Sequence, residues 1–436
     1  MTWLGALILA GAVSASSPAD TLPRPIPLAE AVELAQRNAP AVVQAEGQRH
    51  TSDAAVRSAY GAFLPSVNLS AGAARQVPAG TGQTRILNGQ VVTLAPEPWS
   101  FNVGLGASVD LFSGGRRLFE LGPARAQVGV AAANLVSQRY AAILAAKQSY
   151  FDVLAAREVG AAARAQLEQA RQQLHTSILK LAARLVTRSD SLRSEIAVHN
   201  AELAVTQART SLAQSEATLT RAVGTPYPVT AAADDSLDRP GLAVDDAGLR
   251  ALVLDGPAVT QAGAALQAAR AALRGAWTAY LPAVSLSYSR RGSGLGPDFT
   301  LDTQGYGYTG TLGLSLSFPL FDQFGREQQL AQARAARDNA EAALRDAQLA
   351  ALQSLTQSLG AFHAAEEQVA LQAATLEAAQ EDLREQQQKY AVGTSMLLDV
   401  LTSQATLDQA RHDLIQARYT QRVAKAQLEA LAGRSL

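Results

Sequence analysis

Cysteine is absent from all 436 residues, which excludes disulfides, thiolate metal sites and a lipid attached to an N-terminal cysteine. The absence suits an exported chain that avoids unwanted oxidation. Methionine occurs only twice, too few for a soft-metal relay. Charge of one sign is lacking too: 37 Lys plus Arg stand against 38 Asp plus Glu, so there is no basic excess of the kind that tracks nucleic acid. Catalytic signatures are missing. His50, His175, His199, His363 and His412 show no His-x-x-x-His spacing, and no Gly-x-Ser-x-Gly elbow or Gly-Lys-Ser/Thr phosphate loop occurs. The chain therefore reads as no enzyme, with no catalytic residues, no cofactor, no metal site and no nucleic-acid partner. Long apolar runs are absent beyond the N-terminus, so no segment offers the roughly 18 uninterrupted apolar residues of a spanning helix. A membrane crossing by this chain requires a closed β-barrel.

The N-terminus, MTWLGALILAGAVSASSPAD, has an apolar core from Trp3 to Val13 and a small-x-small end at Val13, Ser14 and Ala15. It resembles a signal peptide cut after Ala15, spanning 1–15, although it carries no Lys or Arg before the apolar core.

The chain then writes one unit twice. A shift of 217 lays AAVRSAYGAFLPSVNLS, from Ala54, on AALRGAWTAYLPAVSLS, from Ala271, and places Pro65 on Pro282. Farther on, a shift of 209 aligns RSDSLRSE, from Arg188, with LLDVLTSQ, and ATLTRAVG, from Ala217, with AQLEALAG. A period of about 200 residues is too long for a solenoid and points to a duplicated module. The boundaries are repeat 1 at 16–224, a linker at 225–243 and repeat 2 at 244–433.

Each repeat holds two segments with period-two alternation, at approximately 65–77 and 100–112, and at 283–291 and 308–320. Val67 and Leu69, then Val103, Leu105, Ala107, Val109 and Leu111, take one face; Asn68, Ser70, Gly104, Gly106, Ser108 and Asp110 take the other. In repeat 2, Val284, Leu286 and Tyr288 and then Leu312, Leu314, Leu316 and Phe318 alternate with Ser and Gly. One greasy face and one small polar face fit a lipid-facing barrel with a wet lumen. Phe63, Phe112, Tyr280 and Phe321 mark the helix-proximal strand ends, and Trp99, Phe101, Tyr306 and Tyr308 the loop-proximal ends, as two interfacial girdles require. The Gly-rich segments between strands read as surface loops. Four strands cannot close a spanning barrel, whose smallest single-chain form has about eight, so several protomers must pool theirs.

The rest reads as long helices, from Arg116 to about His175 and from Arg326 to about Gln388, each followed by a returning helix. The seam Leu407, Ala410, Leu414, Ala417, Gln421, Ala424, Leu428 and Leu431 is matched by Val198, Ala201, Val205, Ala208, Leu212, Ser215, Leu219 and Ala222. Alternating large and small residues at three-four spacing let helices interdigitate. The fold class is mainly α with a transmembrane β-barrel portion, in two structural repeats, each a β-hairpin plus long antiparallel helices. A soluble structural coiled coil or adaptor-type interaction protein explains the seams equally well but not the strands.

The motifs PLAEAVELAQRNAPAV, AYGAFLPSVNLSAG, LFSGGRR and KYAVGTSMLLDVLTSQATLDQARHDL, in this order and in duplicate, resemble the TolC-like outer-membrane efflux and secretion channels of Gram-negative bacteria. The resemblance covers Leu28 to Gly433. It implies a homotrimer with a 12-stranded β-barrel in the outer membrane on an α-helical periplasmic tunnel. It implies an exit duct of a tripartite efflux or type I secretion system, coupled to a periplasmic membrane-fusion adaptor and an inner-membrane pump. It also makes Asp399 a pore-lining ring residue of the periplasmic gate and Asp190 the partner of Tyr390 in a closing bond. The adaptor would meet the turns at Arg184, Leu185 and Thr187 and at Gly393, Thr394 and Ser395. Three positions depart from the family pattern: Arg184 stands at a frequent glycine, Ser395 at a basic residue, and Thr402 at a second aspartate.

Overall fold

The computed structural model describes residues 23–77, 84–87, 89–93, 97–184, 186–232, 245–296, 298–299 and 306–436. The leader at 1–15, Leu185 and most of the 225–243 segment lie outside the described residues. In chain order the elements are β1 (Arg24–Ile26), α1 (Leu28–Asn38), α2 (Pro40–Gly61), β2 (Ser66–Arg75), β3 (Thr84–Leu87), β4 (Gln90–Thr93), β5 (Trp99–Ser113), α3 (Arg116–Ala182), α4 (Arg188–Val223) and β6 (Val229–Ala231). The same order then recurs as α5 (Asp246–Leu254), α6 (Pro257–Ala276), β7 (Ala283–Gly296), β8 (Gly307–Ser317), α7 (Gly325–Ala391) and α8 (Leu397–Ala432). Both long helices, α3 and α7, have 67 residues, and both returning helices, α4 and α8, have 36. Among the described residues no helix is long and apolar enough to cross a membrane.

The chain divides into two compact units. One, comprising 45–135 and 258–349, holds a four-stranded antiparallel sheet in the order β2-β5-β7-β8, so the hairpins of the two repeats join through β5 and β7. Register puts Leu69 opposite Leu105, Ala107 opposite Tyr288, and Leu286 opposite Leu314. Because opposed residues share a face in an antiparallel pair, the apolar positions of all four strands fall together, and Leu312, Leu314 and Leu316 are 70, 68 and 71% exposed. The other face carries small polar groups that bond across the ladder, Ser66 to Ser108 at 2.8 Å and Ser285 to Ser315 at 2.7 Å. Its glycines make room for polar neighbours: a Cβ on Gly106 would lie 2.6 Å from Asn68 Oδ1.

Several expectations change here. A register shift between Asp110 and Phe112 makes Leu111 a bulge residue, so Phe112 and not Leu111 pairs with Val284 and continues the apolar register. Strand β7 runs to Gly296, past 291, because β5 pairs along its length, whereas β8 stops at Ser317, before Pro319. Within the first inter-strand segment, read as a loop, β3 and β4 form a hairpin. Pro123 lies inside α3 and removes one backbone donor from the helix ladder without ending it.

The other unit comprises 1–44, 136–257 and 350–436. Its core gathers Tyr150, Phe151, Leu154, Leu219, Val223 and Tyr419 against Ile26 and Val229. Here β1 pairs in parallel with β6, so the start of the segment read as linker is instead buried strand. Tyr150 donates its hydroxyl to Ala232 O at 2.8 Å, which satisfies a phenol buried completely. On α8, Leu407, Ala410, Leu414, Ala417, Gln421, Ala424 and Leu428 are buried and Leu431 half-buried; on α4, Val198, Ala201, Ala208 and Leu219 are buried.

Helices α4 and α8 both end on a left-handed glycine, Gly224 at φ 71° and Gly433 at φ 66°. A Cβ there would lie 2.8 Å from Asn38 O or 3.0 Å from Pro257 Cδ. Gly224→Ala is therefore expected to cost backbone strain of about 1–2 kcal/mol plus a steric term. Gly393, at φ 79° with open space around it, should show the strain alone. A larger fall in thermal unfolding temperature for Gly224→Ala than for Gly393→Ala checks this.

Candidate functional site at the helical turns

The sequence places its candidate gate where each long helix gives way to its returning partner, and these turns are built alike. Helix α3 ends through Arg184, which adopts φ 58°, and α7 ends through Gly393 at φ 79°, the position 209 residues later. Left-handed backbone is open to glycine without a steric penalty and costs an L-residue about 1–2 kcal/mol. Arg184 thus keeps the turn of its glycine counterpart.

The following residues restart the chain as a helix. Thr187 caps α4: its backbone N–H reaches Asp190 Oδ2 at 3.0 Å, its hydroxyl lies 2.7 Å from the same oxygen, and Asp190 N–H donates to Thr187 Oγ1 at 3.3 Å. That is a reciprocal capping box. In α8 the equivalent N-cap is Met396, which has no oxygen to return the bond. Asp399 Oδ2 accepts from Met396 N–H at 2.9 Å, and Ser395 Oγ stands 2.8 Å from it and 3.1 Å from Gln386 Oε1. Thr394 N–H and hydroxyl both reach Lys389 O, at 2.9 and 3.1 Å, closing the end of α7.

These bonds favour the ionised form of both carboxylates. The Thr187 hydroxyl and backbone N–H lower the Asp190 pKa below its ordinary value, and the Met396 N–H and Ser395 hydroxyl do the same for Asp399. Tyr390 moves the other way: burial, and then the negative charge of Asp190, raise its phenol. Its hydroxyl has no hydrogen-bond partner among the described residues, while Lys180 Nζ lies over its ring, 4.2 Å from the centroid. The expected Asp190–Tyr390 bond is therefore not made here. Asp190 Oδ2 is engaged by its own helix cap, and Asp190 acts on Tyr390 through charge.

Two features had no signal in the sequence. Ser177 and Ser194, both fully buried, bond hydroxyl to hydroxyl at 2.9 Å, tying α3 to α4 just inside the first turn. Beside them lies a cavity of about 980 Å³ lined by Gln166, Gln169 and Gln173 of α3, Arg193 of α4, and Gln404 and Asp408 of α8. Gln169 bridges to Gln404 at 2.5 Å, and burial raises the Asp408 pKa. The glutamine-rich run QLEQARQQL is visible in the sequence, but a helix surface in water has the same composition. Among the described residues no three His, Cys, Asp or Glu side chains come together to hold a metal ion.

The outer membrane efflux protein family matches residues 31–225 and 250–434, one span in each repeat. The chain belongs to that family. Protein CyaE of Bordetella pertussis is 29% identical over 348 residues, covering 76% of this chain and 68% of that protein. In fold the chain is similar to the open state of the Neisseria gonorrhoeae MtrE outer membrane channel, with a TM-score of 0.73 at 22% identity over 94% of this chain and 89% of that one. It is also similar to the Campylobacter jejuni CmeC outer membrane channel, with a TM-score of 0.72 at 16% identity over 93% and 85%. The protein is thus an outer membrane channel of the efflux type, an exit duct whose family works with an adaptor and a pump, and the soluble coiled-coil reading is set aside.

Because the folded pKa values of Asp190 and Asp399 are lowered, their capping bonds stabilise the helix starts above the unfolded carboxylate range and are lost as pH falls through the folded values. Between about pH 5 and pH 3, hydrogen-exchange protection at the start of α4 should fall, and Asp190→Asn should remove most of that pH dependence. Unchanged dependence in the variant would refute the capping role.

Proposed function

We propose that three copies of this chain close one twelve-stranded barrel in the outer membrane and form a passive exit duct, without catalytic activity, for efflux or type I secretion. One observation carries this reading: the sheet has an exposed apolar face and, among the described residues, two edges without a strand neighbour, β2 and β8. In hydrocarbon every backbone N–H and C=O needs a partner, so an open four-stranded sheet is not a viable spanning structure, and identical neighbours supply the missing strands. The apolar face meets lipid and the Ser and Gly face lines the water-filled lumen. Arg at Leu314 should cost about 2–4 kcal/mol of assembly if it lies at the bilayer midplane, and Arg at Ser315 much less. Equal yields of heat-modifiable oligomer from the two variants would overturn the barrel orientation.

At the helical turns the reading assigns a gate. The Asp399 carboxylate is fully exposed and held ionised, and three copies around an axis would attract cations into a constriction. Tyr390 carries an unbonded hydroxyl within reach of the Asp190 charge, a pair suited to a bond that forms in one state and breaks in another. The adaptor's place is at the turns themselves, at Arg184, Leu185 and Thr187 and at Gly393, Thr394 and Ser395. Asp399→Ala should reduce cation preference in planar-bilayer recordings, and unchanged reversal potentials in a salt gradient would remove Asp399 from the pore.

A further inference from the structure

The duplication does more than require a neighbour, because the chain contains a template for the seam that the neighbour completes. Within one chain, β5 of repeat 1 pairs with β7 of repeat 2, with Ala107 opposite Tyr288 and Val109 opposite Leu286. Repeat equivalence maps β5 onto β8 by 209 residues and β2 onto β7 by 217. The mapping can be checked inside the chain: β2 to β5 pairs Ser66 with Ser108, and its image, Ala283 with Ser317, is the observed pairing of β7 with β8. Resting on the homotrimer reading, we propose that β8 of one chain pairs antiparallel with β2 of the partner subunit in the register of the in-chain β5–β7 seam. Leu314 then lies opposite Ala73 of the partner subunit, Leu316 opposite Ala71 of the partner subunit, and Phe318 opposite Leu69 of the partner subunit.

Three observations fit that register. Opposed residues share a face, and these pairs set apolar against apolar; a slip of one residue would turn Ser70 or Gly72 toward the greasy side. Residue sizes complement one another, since the in-chain seam sets Ala107 against Tyr288 and the new seam sets Leu316 against alanine. The template's bulge at Leu111 maps onto Leu320, past the end of β8 and beside Pro319, so the proposed pairing keeps a single register along β8.

The foot of the seam also differs from its template in one definite way. In the chain, Gly114 and Gly115 turn at φ 62° and 76°, and a Cβ on Gly114 would meet Leu281 Cβ at 2.7 Å and Thr278 O at 2.9 Å. Their counterparts are Gln323 and Phe324, held in the same left-handed region at φ 57° and 65°. Side chains cannot enter so close a contact, so the seam between chains stands wider at its foot than the seam within a chain. Apolar side chains are available to fill the gap: Leu320, Phe321 and Phe324 are 84, 70 and 68% exposed, and Leu64, the counterpart of Leu281, is 69% exposed.

The cysteine-free chain makes the test direct. Leu316→Cys combined with Ala71→Cys should give interchain disulfides on oxidation in membranes, about tenfold more than Leu316→Cys with Leu69→Cys or with Ala73→Cys, because directly opposed Cβ atoms lie about 4.5–5.5 Å apart and diagonal ones farther. An in-chain bond is excluded, since β5 and β7 separate β8 from β2 in the sheet. A covalent trimer formed best by one of the slipped pairs would overturn the register and leave the homotrimer standing. A monomer with no crosslink from any pair would overturn both.

Discussion

Everything in the sheet depends on one constraint, that a backbone amide or carbonyl in hydrocarbon has no water to turn to. The chain satisfies it for the inner edges by joining the hairpins of its two repeats through β5 and β7, and among the described residues the outer edges of β2 and β8 have no strand neighbour. The exposed leucines of β8 and the bonded serines of the opposite face are the sides that the proposed barrel turns to lipid and to lumen. Membership of the outer membrane efflux family agrees with a protomer that is incomplete by itself.

Duplication explains the geometry, and the copies diverge in side chains while keeping the backbone. The helix pairs keep equal lengths, and both returning helices end on left-handed glycines wedged against the short helices of their own repeat. At the turns, Arg184 retains the backbone of Gly393, and Thr187 and Met396 cap helices with the aid of aspartates at the same place. At the foot of the strands, Gly114 and Gly115 are replaced by Gln323 and Phe324 without a change of backbone. Strain of that kind persists only where surrounding structure imposes it.

The residues of the proposed gate illustrate how local bonding and long-range charge differ. Asp190 is engaged by the N-cap of its own helix, whereas Asp399 is held by Met396 N–H and by Ser395, whose hydroxyl also reaches Gln386 of α7. Tyr390 is placed by tertiary packing, beneath Lys180 and within the field of Asp190, with a hydroxyl left unbonded. Among the described residues, Tyr390 thus keeps an unbonded hydroxyl beside a charge that Asp190 holds on its own helix cap.

Period-two and three-four patterns were enough to read strands, long helices and the buried seam of α8 directly from the residues, because each depends on which side of a local element faces water. The repeat exposed the duplication, and the family resemblance, carried by the turn motifs, singled out Asp190, Tyr390 and Asp399. Other features depended on partners distant in the chain. The bulge at Leu111 arises from the pairing of β5 with β7, and β1 and β6 are too short to be strands until they pair across some 200 residues. The Ser177–Ser194 bond and the amide-lined cavity use residues that look, in sequence, like any solvated helix surface. Local periodicity records burial, whereas pairing, strain and unsatisfied hydroxyls come from which segments meet.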